Sequence, residues 1–132
     1  MAGRSIEIIL SRQLADCLNV PVFIVDPEGN LLFYNAAAEG LLGRRFEDTG
    51  EMPMEMWSTA FHPTDENGKS IPPNELPLVN ATKNQVPSHK SFWLRSLDGK
   101  SHNVTVMAIP IVGRSQEFVG AMAIFWANTT KA

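Results

Sequence analysis

His62, Asp65 and Glu66 lie close together in the chain. One imidazole and two carboxylates are residue types that can hold a divalent cation. Their setting, HPTDENGKSIPP over residues 62–73, is polar and rich in turn formers. Such a run reads as a solvated surface loop, so no metal site is expected there. Ser, His and Asp all occur, but no spacing orders them as nucleophile, base and orienting acid. There is no glycine-rich phosphate loop and no GxSxG turn. Cys17 is the single cysteine, which rules out an internal disulfide and fits a reducing compartment. These residues give no reason to expect an enzyme. Recognition through apolar surfaces is the chemistry that remains.

The elements that would present those surfaces can be read in order. Residues 5–18 form a helix, with Ser5 as its cap and Asn19 and Pro21 as its stop. Ile6, Ile9, Leu10, Leu14 and Cys17 recur at three- and four-residue spacing and make one apolar stripe. That stripe either covers the domain's own sheet or meets a second copy. Residues 22–25 and 31–34 are apolar strands joined by a tight turn. Asp26 supplies an acceptor for turn amides, Pro27 presets the backbone, and Gly29 permits positive φ. Asn35 caps an Ala-rich helix that ends at Gly43.

Phe46, Met52, Met54, Met56, Trp57 and Phe61 then mark short helical turns broken by Gly50 and Pro53. A helix capped by Asn74 runs to about Gln85, with Pro77 in its first turn. Strands follow over residues 88–97, 101–112 and 117–126, the first pair joined at Asp98–Gly99. The whole is an α+β domain, a five-stranded antiparallel sheet with helices on one face plus an N-terminal amphipathic helix. Residues 1–20 form the helical segment and residues 21–129 the domain.

The chain has 132 residues, 44% of them apolar and 19% charged, enough for one domain with a core. A formal net charge of −3 gives no electrostatic reason for nucleic acid or anionic membrane as a partner. No apolar stretch approaches the roughly 20 residues of a membrane span, and the N-terminus, with acidic Glu7 and no long apolar segment, does not read as a signal peptide. The cytoplasm is the expected location.

Five local features, taken together, resemble a PAS domain. They are the VDPEG turn, Asn35 followed by AAAE, Gly43, the SLDGK hairpin, and the closing pair of strands with AIP (Ala108, Ile109, Pro110) and FVGAMAIF. The stretch SIPPNELPLVNATKNQ resembles the proline segment that leads into the long helix of such domains. The resemblance covers about residues 14–129 and implies a sensory or interaction module that holds ligands between the inner sheet face and the helices. Many members end in an Asp-Ile-Thr motif that couples to an output helix. Here Ala127, Asn128 and Thr129 occupy those positions, so coupling through another surface, or a fragment of a longer protein, is expected.

Strand alternation, registered on the DG turn, Pro110 and Gly120, gives an inward set. It comprises Phe23, Val25, Phe92, Leu94, Val104, Val106, Ala108, Phe118, Gly120 and Met122, with Met56 and Trp57 facing it from the helices. Ser91, Arg95, Asn103 and Thr105 fall on the opposite face.

The resemblance also sets tests for cofactors. A flavin of the LOV type needs a cysteine in the helical region, and residues 46–61 have none. It also needs amides on the sheet, where this chain has Leu94, Val104 and Met122. Each unsatisfied polar group of the flavin would cost about 1–3 kcal/mol. Haem needs a histidine on the long helix, which has none; His62 and His89 flank it and read as solvated. Cys17 lies outside the region that would hold a thioester-linked chromophore. No cofactor is expected.

Three readings of the interior stay open: a closed core, a pocket for a small apolar ligand, and a tetrapyrrole or flavin held in an atypical way. The function implied is a sensory and dimerisation module of a signal-transduction protein. A second copy would pair through Ile6, Ile9, Leu10 and Leu14, and an effector domain or partner protein would receive the signal. The alternative is an interaction domain with a packed core and no ligand.

Overall fold

The computed structural model describes residues 6–60, 62–95 and 99–128. The expected cap Ser5, the apolar Phe61, the strand end at Leu97, the turn residue Asp98 and the terminal Thr129 lie outside them. Helix α1 (Ile6–Asp16) precedes strands β1 (Val22–Val25) and β2 (Leu31–Tyr34). Three short helices follow: α2 (Ala36–Leu42), α3 (Phe46–Thr49) and α4 (Met54–Ala60). Helix α5 (Pro77–Asn84) leads into β3 (Ser88–Arg95), β4 (Ser101–Val112) and β5 (Phe118–Ala127).

The five strands form one antiparallel sheet in the order β2-β1-β5-β4-β3. The first and last strands of the chain therefore meet in the middle, with Phe23 opposite Ala123 and Val25 opposite Ala121. Both edges carry a guard. Leu31 on β2 exchanges two backbone hydrogen bonds with Met52, at 2.6 and 3.1 Å. Trp93 on β3 exchanges two with Thr64, both at 2.8 Å.

The turn chemistry acts locally as expected. Asp26 Oδ1 accepts from the amides of Glu28 (3.0 Å) and Asn30 (2.8 Å), and Gly29 takes φ +91°. Gly43 closes α2 in the left-handed region, its N–H donating to the Glu39 carbonyl at 2.9 Å. Asn35 caps α2 by accepting from Ala38 N–H at 3.0 Å. It also does something a cap alone would not. Its Oδ1 accepts from Val22 N–H (3.0 Å), and its Nδ2 donates to the carbonyls of Ala15 (2.8 Å) and Val20 (2.9 Å). One buried side chain thus joins the end of α1, the start of β1 and the start of α2.

The long helix starts later than its expected cap. Residues Pro73–Glu75 form a short 3-10 turn, and α5 begins at Pro77 with Leu76 as the extended residue before it. Proline disfavours the helical region for its predecessor, so Leu76 cannot be the second residue of a helix capped by Asn74. Gln85 ends α5 at φ +57°.

The sheet has two packed faces. The inner face buries Phe23, Val25, Phe92, Leu94, Val104, Val106, Ala108, Ala121, Ala123 and Phe125 against α2, α4 and α5. The outer face of β1, β2 and β5 buries Val22, Ile24, Leu32, Phe33 and Met122 under Ile8 and Ala15 of α1. Phe46 on α3 packs against both clusters around the β2 edge.

Candidate functional site

Phe23, Trp57, Phe92, Leu94 and Val106 converge on one small cavity inside the domain. Its free volume is about 40 Å³ and its lining is apolar except at Ser58. Val25, Val104 and Ala108 belong to the same inner core without reaching the cavity. Leu42, Leu76, Leu78 and Phe125 complete the wall. Phe23 and Phe125 pack with ring centroids 5.0 Å apart, and Phe23 and Tyr34 at 5.5 Å. The Trp57 indole N–H donates to the Gly29 carbonyl at 2.8 Å, which fixes the ring against the β1–β2 turn.

Three expected site residues are not part of this interior. Met122 lies on the outer face beneath α1, paired with Ile24. Phe118 is half-buried at the start of β5, outside both core clusters. Gly120, on the same parity, points the same way as Met122. The expected register of β5 was one residue out of phase, and a one-residue slip reverses every side chain. The physical reason is an irregularity in the β4–β5 ladder between Ile111 and Val112, which falls between Pro110 and Gly120, the two positions that carry the expected alternation into β5. Past it, Ala121, Ala123 and Phe125 face inward. Met56 is the third correction: it is 52% exposed. Helix α4 has seven residues and presents one face to the core, which Trp57 occupies.

Phe125 is the sheet residue of the wall that the sequence reading missed. A usable signal lay in FVGAMAIF. Small residues at 121 and 123 leave room beside the large Phe23, an arrangement expected on a crowded inner face.

Tyr34 closes the core at the β2 edge. Its hydroxyl donates to the Arg44 carbonyl at 3.0 Å and lies 3.0 Å from Thr49 Oγ1. Burial pushes its phenol pKa above the ordinary value. A raised folded-state pKa gives stability that is full below the unfolded value of about 10 and lost as pH rises through the folded one. Tyr34→Phe should cost about 1–2 kcal/mol at neutral pH through the lost hydrogen bonds. It should also flatten the alkaline fall in stability. Urea melts at neutral and alkaline pH test both; parallel curves for the two proteins would contradict the second.

Asp65, half of the acidic pair beside His62, is a loop clasp. Its Oδ1 accepts from the amides of Asn67 (2.8 Å) and Lys69 (3.0 Å). The Lys69 amide bond, first among the causes, holds this carboxyl below its ordinary pKa. Among the described residues, no three His, Cys, Asp or Glu side chains converge.

The second candidate surface is the exposed face of α1. Ile6, Ile9, Leu10 and Leu14 are 59%, 42%, 55% and 55% exposed. At about 100° per residue, Leu10 lies some 200° around the helix from the sheet-facing Ile8. The stripe read from the sequence therefore turns away from the sheet, and a sparser face, Ile8 with Ala15, covers it. Apolar side chains also remain exposed on the uncovered outer strands, at Met107, Ile109 and Trp126.

The position of the expected output motif is tied to the sheet. Asn128 Nδ2 donates to Asn103 Oδ1 at 2.8 Å, and Asn128 Oδ1 accepts from Thr105 Oγ1 at 3.0 Å. Thr105 in turn meets Ser91 Oγ at 2.8 Å. An amide, one position after the one that matches the family's aspartate, thus makes two side-chain bonds to the sheet.

Comparison with known proteins agrees with this architecture. The family model described as a PAS domain matches residues 10–75. The chain belongs to the PAS domain family. Among solved structures it is similar to the PAS domain of a Colwellia psychrerythraea protein, with TM-score 0.65 and 21% identity over 92% of this chain and 97% of that one. It is similar to the LOV domain of a blue-light activated histidine kinase from Erythrobacter litoralis, with TM-score 0.65 and 14% identity over 86% and 99% of the two chains. It is also similar to the PAS domain of the fruit-fly ELK potassium channel, with TM-score 0.69 and 11% identity over 97% and 100%. At these identities the likeness concerns the fold. No curated protein matches the chain.

Proposed function

We propose that this PAS domain is a sensory and dimerisation module of a signal-transduction protein, in which two copies pair through α1. The carrying observation is the stripe Ile6, Ile9, Leu10 and Leu14, turned away from a sheet that another helix face already covers. An isologous contact uses the same patch on both copies, so one apolar stripe suffices to form it. The solved relatives named after a histidine kinase and an ion channel support a place in signalling, with an effector domain or partner protein as receiver. The role is binding rather than catalysis, and the cytoplasm is the proposed location. No helix among the described residues is long and apolar enough to cross a membrane.

The combined substitution of Ile9→Glu and Leu10→Glu tests the pairing. Light scattering should report twice the chain mass for the wild type and the single mass for the variant, with unchanged circular dichroism. Equal masses for the two proteins would refute the role of α1.

A second reading, a sensor for a small apolar ligand, draws on the interior cavity. Its 40 Å³ is far below the roughly 300 Å³ at which ligand pockets begin. Such a ligand would enter only if the wall of Trp57 and Leu76 moved. Native mass spectrometry with an absorption spectrum of fresh protein separates the readings. A bare mass supports the packed module, and added mass supports the sensor.

A further inference from the structure

An open space larger than the interior cavity lies outside the interior of the family fold. It is a cleft of about 330 Å³ on the outer face of the sheet, between α1 and the β1–β2 pair. That volume reaches the lower end of the range for small-molecule sites. Its floor is apolar and buried: Ile8 from α1, then Ile24, Leu32 and Phe33 from the strands. Its rim carries two opposite charges from one helix, Arg12 and Asp16. Four residues apart on α1, these side chains rise side by side over the same floor. The Arg12 guanidinium carbon sits 4.4 Å from the Phe33 ring centroid. The ring therefore holds the cation at the cleft and leaves its in-plane N–H donors for an acceptor. Gln13 adds a neutral donor and acceptor to the rim, and Glu51, which has an interaction of its own, closes the far side.

We propose that this cleft is a binding site for a small apolar α-amino acid. Each part of the cleft meets one part of such a molecule. The Arg12 fork takes the α-carboxylate, Asp16 takes the α-ammonium, and the branched or aromatic side chain lies on Ile24, Leu32 and Phe33. A fatty acid would leave Asp16 without a partner beside an added negative charge. A simple amine would leave Arg12 without an anion. A zwitterion with an apolar body satisfies both charges and the floor together. The site meets the pairing stripe at Ile9, which lines the cleft beside Ile8, whereas Leu10 and Leu14 lie on the opposite side of the helix from Arg12. Occupancy would act on α1 directly, since Ile8, Arg12 and Asp16 all belong to it.

The test is a titration of the ¹⁵N-labelled full chain with L-leucine, isoamylamine and 4-methylpentanoate, followed by amide shifts. L-leucine should shift amides of α1, Ile24, Leu32 and Phe33, and bind at least tenfold tighter than either single-charge analogue. Arg12→Gln and Asp16→Asn, both at exposed positions, should each weaken L-leucine at least tenfold with the rest of the spectrum native. No shift with L-leucine would overturn the proposal. So would shifts centred on Trp57 and Phe92, which would move the ligand to the interior. So would equal affinity for an analogue, or unchanged affinity in both variants.

Discussion

Asn35→Ala should destabilise the domain by about 3–5 kcal/mol, because it strips partners from four backbone groups at once. Two are the N–H groups of Val22 and Ala38, and two are the carbonyls of Ala15 and Val20. Asn35 itself is 1% exposed, so water cannot readily replace the lost amide. An ordinary N-cap deletion costs about 1 kcal/mol. The difference between those figures measures what Asn35 does beyond capping. Against a total stability of about 5–15 kcal/mol, the loss is large enough to lower the urea midpoint severely. Asn35→Asp separates the two roles. It keeps the acceptor for Val22 and Ala38 but presents no amide to the two carbonyls at neutral pH. A loss near 1 kcal/mol for Asn35→Ala would mean that the α1 connection adds nothing. The amide exchange of α1 gives a second readout. Cutting the bonds to Ala15 and Val20 should release that helix before the sheet melts.

Much of this was legible in the sequence, and the reasons are local. Asp26, Gly29, Asn35 and Gly43 act through their own turns, so their types name the turn and the cap. Strand β4 was bounded as Ser101–Val112 because alternation over twelve residues overrides its ends. What was not legible depends on neighbours far away in the chain. The phase of β5 is fixed by β1, through Phe23 opposite Ala123, and not by the nearby turn where the ladder slips. Helix α1 carries apolar residues on two faces, and nothing within its eleven residues says which one the sheet takes. Ile8 wins over Leu10 because Ala15, a small residue seven positions on, lets the helix lie close to the strands. Asn35 as a cap was foreseeable. Its reach to Ala15 and Val20 was not, since it requires the return of the chain past α1.

Trp57→Ala is expected to have the other large effect, and it bears on what the interior can do. Removing a buried Trp typically costs about 3–5 kcal/mol, the lost transfer energy plus the cavity left behind. The Gly29 carbonyl would also lose its indole donor. The deleted ring borders the existing 40 Å³ space, so the two voids would merge into one apolar cavity between Phe23, Phe92 and Phe125. If the surrounding sheet holds its shape, that cavity stays dry and accepts an apolar guest of the missing shape. Indole should then raise the melting temperature of the variant and leave the wild type unchanged, since only a folded state with space can bind it. Stabilisation of both proteins would show that the wall at Trp57 opens unaided, which favours the sensor reading. Stabilisation of neither would show that α4 and α5 collapse onto the sheet. An interior that collapses cannot report a ligand by its occupancy. The signalling role would then rest on the surfaces of α1, where apolar side chains already stand exposed.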